Sequence, residues 1–436
     1  MKLSGLNRKI LALAIPSIAA NITTPLLGLV DTAIAGHMGS AVFLAAIAVG
    51  SVMFNMVYWF FSFLRAGTSG LAGQACGAAD TRAQSLILRR SLLVAFGAGV
   101  ALILLQRPLE YGLLWLASPD AGAEALARQY FRILIYGAPA MLGTYALSGW
   151  FLGMQNSRVL MWTSLAVNLS NIAASLTLVY ALRMGIPGIA CGTLTAQWVG
   201  LAVSLLFLRR YRLQRCGWRE IARWEELRRF FKVNFDVMLR TVCLMAVTMW
   251  FTRAGASQGS VILAVNTLLM QLFLLFSYVM DGFAFAAEAL AGRFTGARDR
   301  RSLDAMIKAT MRWGLALALV FTAIYFLGGE SFLGILSSDR DVLAASREYA
   351  LWAVSIPICG FGAFVWDGVY IGATLTRPLL LSMAGASAIF FLLQYLLFPS
   401  LGNHALWLAF ISYLFARGAL QTLLYPRAAN RPRAAR

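Results

Sequence analysis

Long apolar runs, separated by short clusters of charged residues, Gly and Pro, follow one another along the whole chain. Each run holds roughly 17 to 25 residues, enough for one helix to cross about 30 Å of hydrocarbon at about 1.5 Å per residue. The pattern predicts helices over 10–36, 43–66, 88–106, 128–152, 160–182 and 187–208, and again over 234–254, 262–289, 309–329, 348–372, 379–398 and 404–424. That is an all-α integral membrane chain of twelve transmembrane helices, six in each half.

The halves share their punctuation. Residues 31–158 moved forward by 219 positions fall on a second copy of the same pattern. Ala35-Gly36 meets Ala254-Gly255, Leu44-Ala45 meets Leu263-Ala264, and Ala72-Gly73 meets Ala291-Gly292. Gly77, Ala78, Asp80 and Arg82 fall on Gly296, Ala297, Asp299 and Arg301. Further on, Arg128, Tyr130, Gly149, Gly153 and Arg158 fall on Arg347, Tyr349, Gly368, Gly372 and Arg377. The repeat predicts two pseudo-symmetric six-helix bundles: an N-terminal lobe over 1–208 and a C-terminal lobe over 234–436 ending in a short basic tail. A basic cytoplasmic loop over 209–233 joins them. Many secondary transporters use duplicated bundles of this kind to build a site that opens to each side of the membrane in turn.

Composition agrees with that solvent: 60% of residues are hydrophobic and 13% charged, with a mean hydropathy of +0.72, where a soluble chain is about 25% charged. The net charge of +19 does not signal a nucleic-acid partner. Most Lys and Arg crowd into the N-terminus, the loops after even-numbered helices and the C-terminal tail, as loop-charge topology demands. The opposite loops hold Arg107, Arg128, Arg132, Arg183, Arg253, Arg340 and Arg347, while Arg65, Arg240 and Arg417 lie inside helices near the basic side. Both termini are therefore expected in the cytoplasm, with Arg209–Lys232 resting on anionic headgroups.

Other features carry little chemistry. Lys2, Arg8 and Lys9 precede an apolar run too long for a signal peptide, so the run reads as the first helix. Cys76, Cys191, Cys216, Cys243 and Cys359 are scattered, and His37 and His404 fall at external helix ends, so no metal site is expected. The sequons at Asn21 and Asn168 lie within spans, out of reach of glycosylation. No phosphate-binding loop and no nucleophile constellation is present, so neither an enzyme nor a cofactor is expected, and active transport must draw on an ion gradient.

The informative residues are acids in the spans, each of which costs at least about 2.5 to 3.5 kcal/mol unless it meets a cavity or a partner. Asp31 is the only ionisable residue of the first helix, toward its external end, and shares that helix with Pro16 and Pro25, candidate hinges where a backbone hydrogen bond is missing. A carboxylate in such a cavity can gain and lose a proton. Asp281 and Glu288, seven apart on one face of the eighth helix, could line a proton path or pair with arginines such as Arg240. Asp367 precedes Gly368 in the tenth helix, where the first half has Ser148, and serves either a site or a structural pair. Asp236 and Arg240, four apart, read as an ion pair along one helix. The content of 12 Trp, 28 Phe and 16 Met suits a cavity for cationic or amphipathic aromatic molecules.

Several stretches together resemble the multidrug and toxic compound extrusion family, and within it the DinF branch. They are Leu26 to Ala33 with Gly36-His37, Asp281-Gly282-Phe283-Ala284, Asp367-Gly368 with Ile371 to Thr374, and Leu401-Gly402-Asn403-His404-Ala405-Leu406-Trp407. The resemblance implies a V-shaped pair of six-helix lobes around a central cleft in the bacterial inner membrane. It also implies export of organic compounds against inward H⁺ or Na⁺, with no cofactor. Asp31 matches the family's first-helix acid, taken in this branch to bind the coupling proton. Asn171 matches the asparagine of a fifth-helix Asn-x-x-x-Asp pattern, but Ser175 stands where the acid is expected. Asn168, Asn171 and Ser175 are thus candidate cavity residues together with Asp281, Glu288 and Asp367. The expectation is a monomeric H⁺-coupled antiporter, with Na⁺ coupling or a flippase for lipid-linked precursors as alternatives.

Overall fold

The computed structural model describes residues 3–37, 41–117, 121–336 and 340–429; Lys2 and the basic tail at Arg431, Arg433 and Arg436 lie outside them. Among the described residues the structure is helical, without strands. The first half runs α1 (Leu3–Gly36), α2 (Ala41–Phe60), α3 (Phe63–Gly77), α4 (Thr81–Leu104), α5 (Gln106–Ala117), α6 (Ala121–Leu134), α7 (Ala138–Gly153), α8 (Ser157–Leu176) and α9 (Ile186–Leu208). A short α10 (Trp218–Ile221) leads into α11 (Trp224–Ala256), α12 (Ser260–Gly296), α13 (Arg300–Leu336), α14 (Arg340–Gly372), α15 (Thr376–Leu401) and α16 (Asn403–Ala429).

Ten of the described helices are long and apolar enough to cross a membrane, one of them being α2 and α3 taken together. The two further expected spans are helical as well. A single 3₁₀ turn at Ile135–Gly137 divides the fourth into α6 and α7, and α11 carries Asp236, Arg240 and Arg253 along its length. With them the spans number twelve. The short helix α5 has no counterpart in the pattern reading.

Packing separates two compact units, Ala19–Asn234 and Met1–Ile18 with Phe235–Arg436. In the first, α3 lies along α7 and α8 along α9, around a core that includes Met53, Leu64, Phe131 and Leu142. In the second, α12 pairs with α14 and α15 with α16, around Phe276, Phe390, Trp407 and Tyr413. The opening turns of α1 belong to the second unit: a Cβ on Gly282 would meet Ile18 and the Ala14 carbonyl, and Trp313 Nε1 donates to Asn7 Oδ1 at 3.4 Å. Beyond Ile18 the same helix packs in the first unit, where Thr23 and Ser164 hydroxyls meet at 2.8 Å.

The segment after α9 folds back onto α4. Arg89 donates to the carbonyls of Gln214 and Cys216 at 3.0 Å, Arg90 to those of Glu220 at 2.9 Å and Ile221 at 3.3 Å, and Arg82 grips Glu220 at 2.8 Å. Residues expected to form a linker are thus fastened to Ala19–Asn234, their carbonyls satisfied by arginines.

The repeat is written into the backbone. Ala79 (φ 55°) and Arg298 (φ 56°) adopt the left-handed conformation 219 apart, as do Gln155 (φ 63°) and Thr374 (φ 54°). Each ends a helix whose next amide reaches back five residues: Asp80 to Ala75 at 3.0 Å, Asp299 to Phe294 at 3.0 Å, Asn156 to Phe151 at 2.9 Å and Leu375 to Tyr370 at 2.8 Å. Asp80 and Asp299 then cap the following helices, accepting from the amides of Ala83 at 2.8 Å and Ser302 at 2.9 Å. Close helix contacts repeat as well. A Cβ on Gly149 would lie 2.2 Å from the Arg65 carbonyl oxygen, and one on Gly368 would lie 2.1 Å from that of Ala284.

Candidate functional site

Asp31 is buried at 3% exposure within the last two turns of α1. Opposite it, α9 contributes Thr193, whose Oγ1 donates to Asp31 Oδ2 at 3.0 Å. Asn171 of α8 donates through Nδ2 to Thr193 Oγ1 at 2.9 Å. The result is a directed chain, Asn171 to Thr193 to Asp31, fully inside the protein. Among the described residues, Asp31 Oδ1, Asn171 Oδ1 and Ser175 Oγ are buried without a hydrogen-bond partner. Three such oxygens lie in one neighbourhood, where buried polar atoms are ordinarily paired.

Small residues allow this convergence. Ser175 lies one helical turn beyond Asn171, and a Cβ on Gly192, adjacent to Thr193, would sit 2.1 Å from its Oγ. Tyr130 of α6 closes another side: its phenol reaches Ser51 and Thr193, and its ring fills the space left by Gly50. Asn168, three residues before Asn171, instead fastens α8 to α1 by donating to the Thr23 carbonyl at 2.8 Å. The helix α1 runs unbroken through Pro16 and Pro25. Thr193 and Tyr130 are absent from the sequence-based set, because a threonine or tyrosine within an apolar helix carries no charge to mark it; the repetition of Tyr130 at Tyr349 is the one available signal.

The other acids belong to the other unit. Asp367 of α14 receives Arg240 of α11 and Arg417 of α16 on the same oxygen, Oδ2, the latter at 2.6 Å, while Gln421 donates to Oδ1 at 2.6 Å. The expected pair between Asp236 and Arg240 does not form. Arg240 turns to the buried Asp367, and Asp236 accepts from Thr376 at 2.8 Å with Arg377 at 3.9 Å. A carboxylate ringed by three donors in the interior holds Arg240 more firmly than a neighbour on its own helix. Glu288 is 1% exposed and Asp281 half-buried on α12.

A further buried acid stands in α5, unmarked by the sequence reading. Glu110 is fully buried and accepts from Arg132 at 2.7 and 2.9 Å and from Arg128 at 3.0 Å. Those arginines border a cavity of about 350 Å³ between α6 and α9 whose wall includes Tyr136 and Leu194. At one end of the second unit His404 meets Glu348 at 3.0 Å and accepts from Trp352 at 3.2 Å. No group of three or more metal-binding side chains occurs among the described residues.

A family model, MatE, matches residues 16–177 and 233–396. The chain belongs to the MatE family. DNA damage-inducible protein F of Escherichia coli K12 is 37% identical over 423 residues, which cover 95% of this chain and 91% of that protein. A probable multidrug resistance protein NorM of Chromobacterium violaceum is 25% identical, over 97% of this chain and 94% of its own length. The crystal structure of the Vibrio cholerae MATE transporter VcmN in its bent form shares the fold, with a TM-score of 0.88 at 17% identity, over 98% of this chain and 97% of that one. As a MatE protein the chain is a multi-pass membrane transporter of the multidrug class, not an enzyme. The family resemblance read from Asp31, Asp281, Asp367 and the stretch around Asn403 is thereby borne out, as is the twelve-helix fold.

Proposed function

We propose that this transporter exports small organic compounds by H⁺-coupled antiport with alternating access, and that Asp31 is the residue that takes up and releases the coupling proton. The observation carrying the reading is the state of its carboxylate: buried at 3% exposure, held by one hydroxyl donor on Oδ2, with Oδ1 unpartnered. Protonation removes a charge that is costly in the span and turns an orphan acceptor into a donor able to reach an oxygen nearby.

In the proposed cycle an external proton neutralises Asp31, and α1 adjusts around Pro16 and Pro25, which flank the point at Ile18–Ala19 where the helix passes from one compact unit to the other. Coupling requires the proton and the substrate to favour different states. The setting is a bacterial inner membrane with both termini in the cytoplasm, and the working form is a monomer. Aromatic and amphipathic compounds are the expected cargo.

The three unpartnered oxygens also suit Na⁺, which is the second reading. Both are tested in liposomes containing the purified protein, by following efflux of a fluorescent organic cation under an imposed pH gradient and, separately, a Na⁺ gradient. Transport driven by the pH gradient and abolished in Asp31→Asn supports the proposal. Efflux that follows Na⁺ alone moves the coupling to that ion, and pH-driven efflux retained in Asp31→Asn refutes the role of Asp31.

A further inference from the structure

The cluster around Asp367 has one arginine more than its own charge requires. Arg240 and Arg417 both pair with Asp367 and, among the described residues, with no other carboxylate. Two guanidinium groups against one carboxylate leave a residual positive charge at this cluster. Arg417 is 4% exposed in its side chain and stacked under Phe364 and Tyr413 at 5.8 and 5.7 Å, so its charge is fixed in place. Its Nε and that of Arg240 are buried without a hydrogen-bond partner. Arg240 keeps 15% of its side chain exposed, and a charged group within a span is tolerated where it borders an aqueous cavity rather than lipid.

Packing does not explain the excess. The repeat builds the corresponding helix pair, α3 with α7, through the same glycine contacts, yet Ser148 stands at the position equivalent to Asp367 and Asn21 at that equivalent to Arg240. Helices of this geometry therefore close without any ionic cluster. One guanidinium would suffice to neutralise Asp367, and a second adds a desolvation cost that a share of the same carboxylate offsets only in part.

We propose that Arg240, backed by Arg417, is an anion subsite of the transport pathway that takes the carboxylate of an organic, preferably aromatic, substrate. The inference rests on the exporter reading above and deepens it, by adding to the cargo compounds that bear an acidic group. A planar guanidinium binds a carboxylate through paired N–H donors, and the Phe364 and Tyr413 rings stacked on Arg417 give the cluster an aromatic flank. A substrate bound there supplies the missing negative charge, and Asp367 competes with it for the same two arginines.

The test uses the full-length protein in lipid nanodiscs with naphthoate as the probe and uncharged naphthylmethanol as its reference, by equilibrium dialysis in chloride-free buffer. Wild type is expected to bind naphthoate at least about ten-fold more tightly than naphthylmethanol, the scale of one hydrogen bond to a charged group. Arg240→Gln is expected to erase that preference and Arg240→Lys to keep part of it. Asp367→Asn, where it folds, is expected to strengthen naphthoate binding, an effect that a purely structural ion pair would not produce. Equal binding of the two probes by wild type, or an unchanged preference in Arg240→Gln, overturns the proposal. So does displacement of naphthoate by chloride at equal concentration, which would mark a site for small inorganic anions. Dye efflux driven by a pH gradient in the same variants reports on the exporter reading separately: failure of naphthoate binding with efflux intact refutes the subsite alone.

Discussion

The repeated glycines at the helix contacts offer a quantitative test of the architecture on which the transport cycle depends. A Cβ at position 149 would lie 2.2 Å from the Arg65 carbonyl oxygen and 3.0 Å from its Cα, and one at position 368 would lie 2.1 Å from the Ala284 oxygen. The opposing atoms are backbone, so no side chain can swing away. To restore an ordinary contact each helix pair must part by about 1 Å along its length, in a protein interior packed as densely as an organic crystal. Overpacking of this kind costs about 1 to 3 kcal/mol, and rigid backbone on both sides puts it toward about 3. Alanine recovers about 1 kcal/mol of helix propensity, leaving Gly149→Ala and Gly368→Ala each about 2 kcal/mol less stable. Gly97 in α4 is the control, because a Cβ there meets nothing within 4 Å; Gly97→Ala should gain up to about 1 kcal/mol. At roughly 2 to 4 °C per kcal/mol for a unit of this size, thermal unfolding in detergent, followed by tryptophan fluorescence, should separate the two classes. Gly149→Ala and Gly368→Ala should unfold several degrees lower and Gly97→Ala slightly higher than wild type. A shift of the same sign and size in all three would refute the close-contact reading.

Thr193→Val keeps the shape of the side chain but removes the donor to Asp31 and the acceptor for Asn171; pH-driven efflux in liposomes should fall by about ten-fold or more, the scale of a hydrogen bond to a charged group, while the protein still elutes as a single folded species. Glu110→Gln removes the buried acid shared by Arg128 and Arg132 and should lower thermal stability, read as an earlier unfolding transition in detergent, with no change in the ion that drives transport. Asp299, at the start of α13, is held below its usual carboxyl range by the Ser302 side chain and then its amide. A lowered folded-state value means the stabilisation is present above the unfolded value of 3.8 and is lost as pH falls through the folded one. The deficit of Asp299→Asn relative to wild type at about pH 7 should therefore shrink as pH falls below 3.8, whereas a deficit that stays constant across that range would show that the carboxylate charge is not what matters.

Apolar run length was enough to place the spans, because a membrane helix must be long and apolar whatever it packs against. The method blurred where polarity and helicity coexist. Helix α5 fell into what read as a loop after the third span, and Glu110 within it is satisfied by arginines 18 and 22 residues away in sequence, a distance that no local pattern reports. Asp31 stood out as a lone acid in an apolar helix, yet Thr193, 162 residues away, did not, since only the fold brings α9 against α1. The Asp236 and Arg240 spacing misled for the converse reason: an i,i+4 geometry permits a pair, but burial decides, and the interior acid Asp367 takes the arginine. Arg417, read from the sequence only as lying inside a helix near the basic side, likewise finds its partner in Asp367, 50 residues away.

What the two halves share and what they do not divides along physical lines. The left-handed closures at Ala79 and Arg298 and at Gln155 and Thr374, the capping Asp80 and Asp299, and the glycine contacts at Gly149 and Gly368 are kept at one offset. These are the features that fix how helices turn and pack. The charged chemistry is kept at none of them: Trp250 stands opposite Asp31 in the repeat, Ser148 opposite Asp367 and Asn21 opposite Arg240. A carboxylate or guanidinium in a span is expensive wherever it is placed, so a duplicated bundle that needed such groups only for folding would be expected to hold them in both copies or in neither. Their confinement to one copy each fits the proposals made above, in which one lobe handles the coupling ion and the other meets the charge of the cargo.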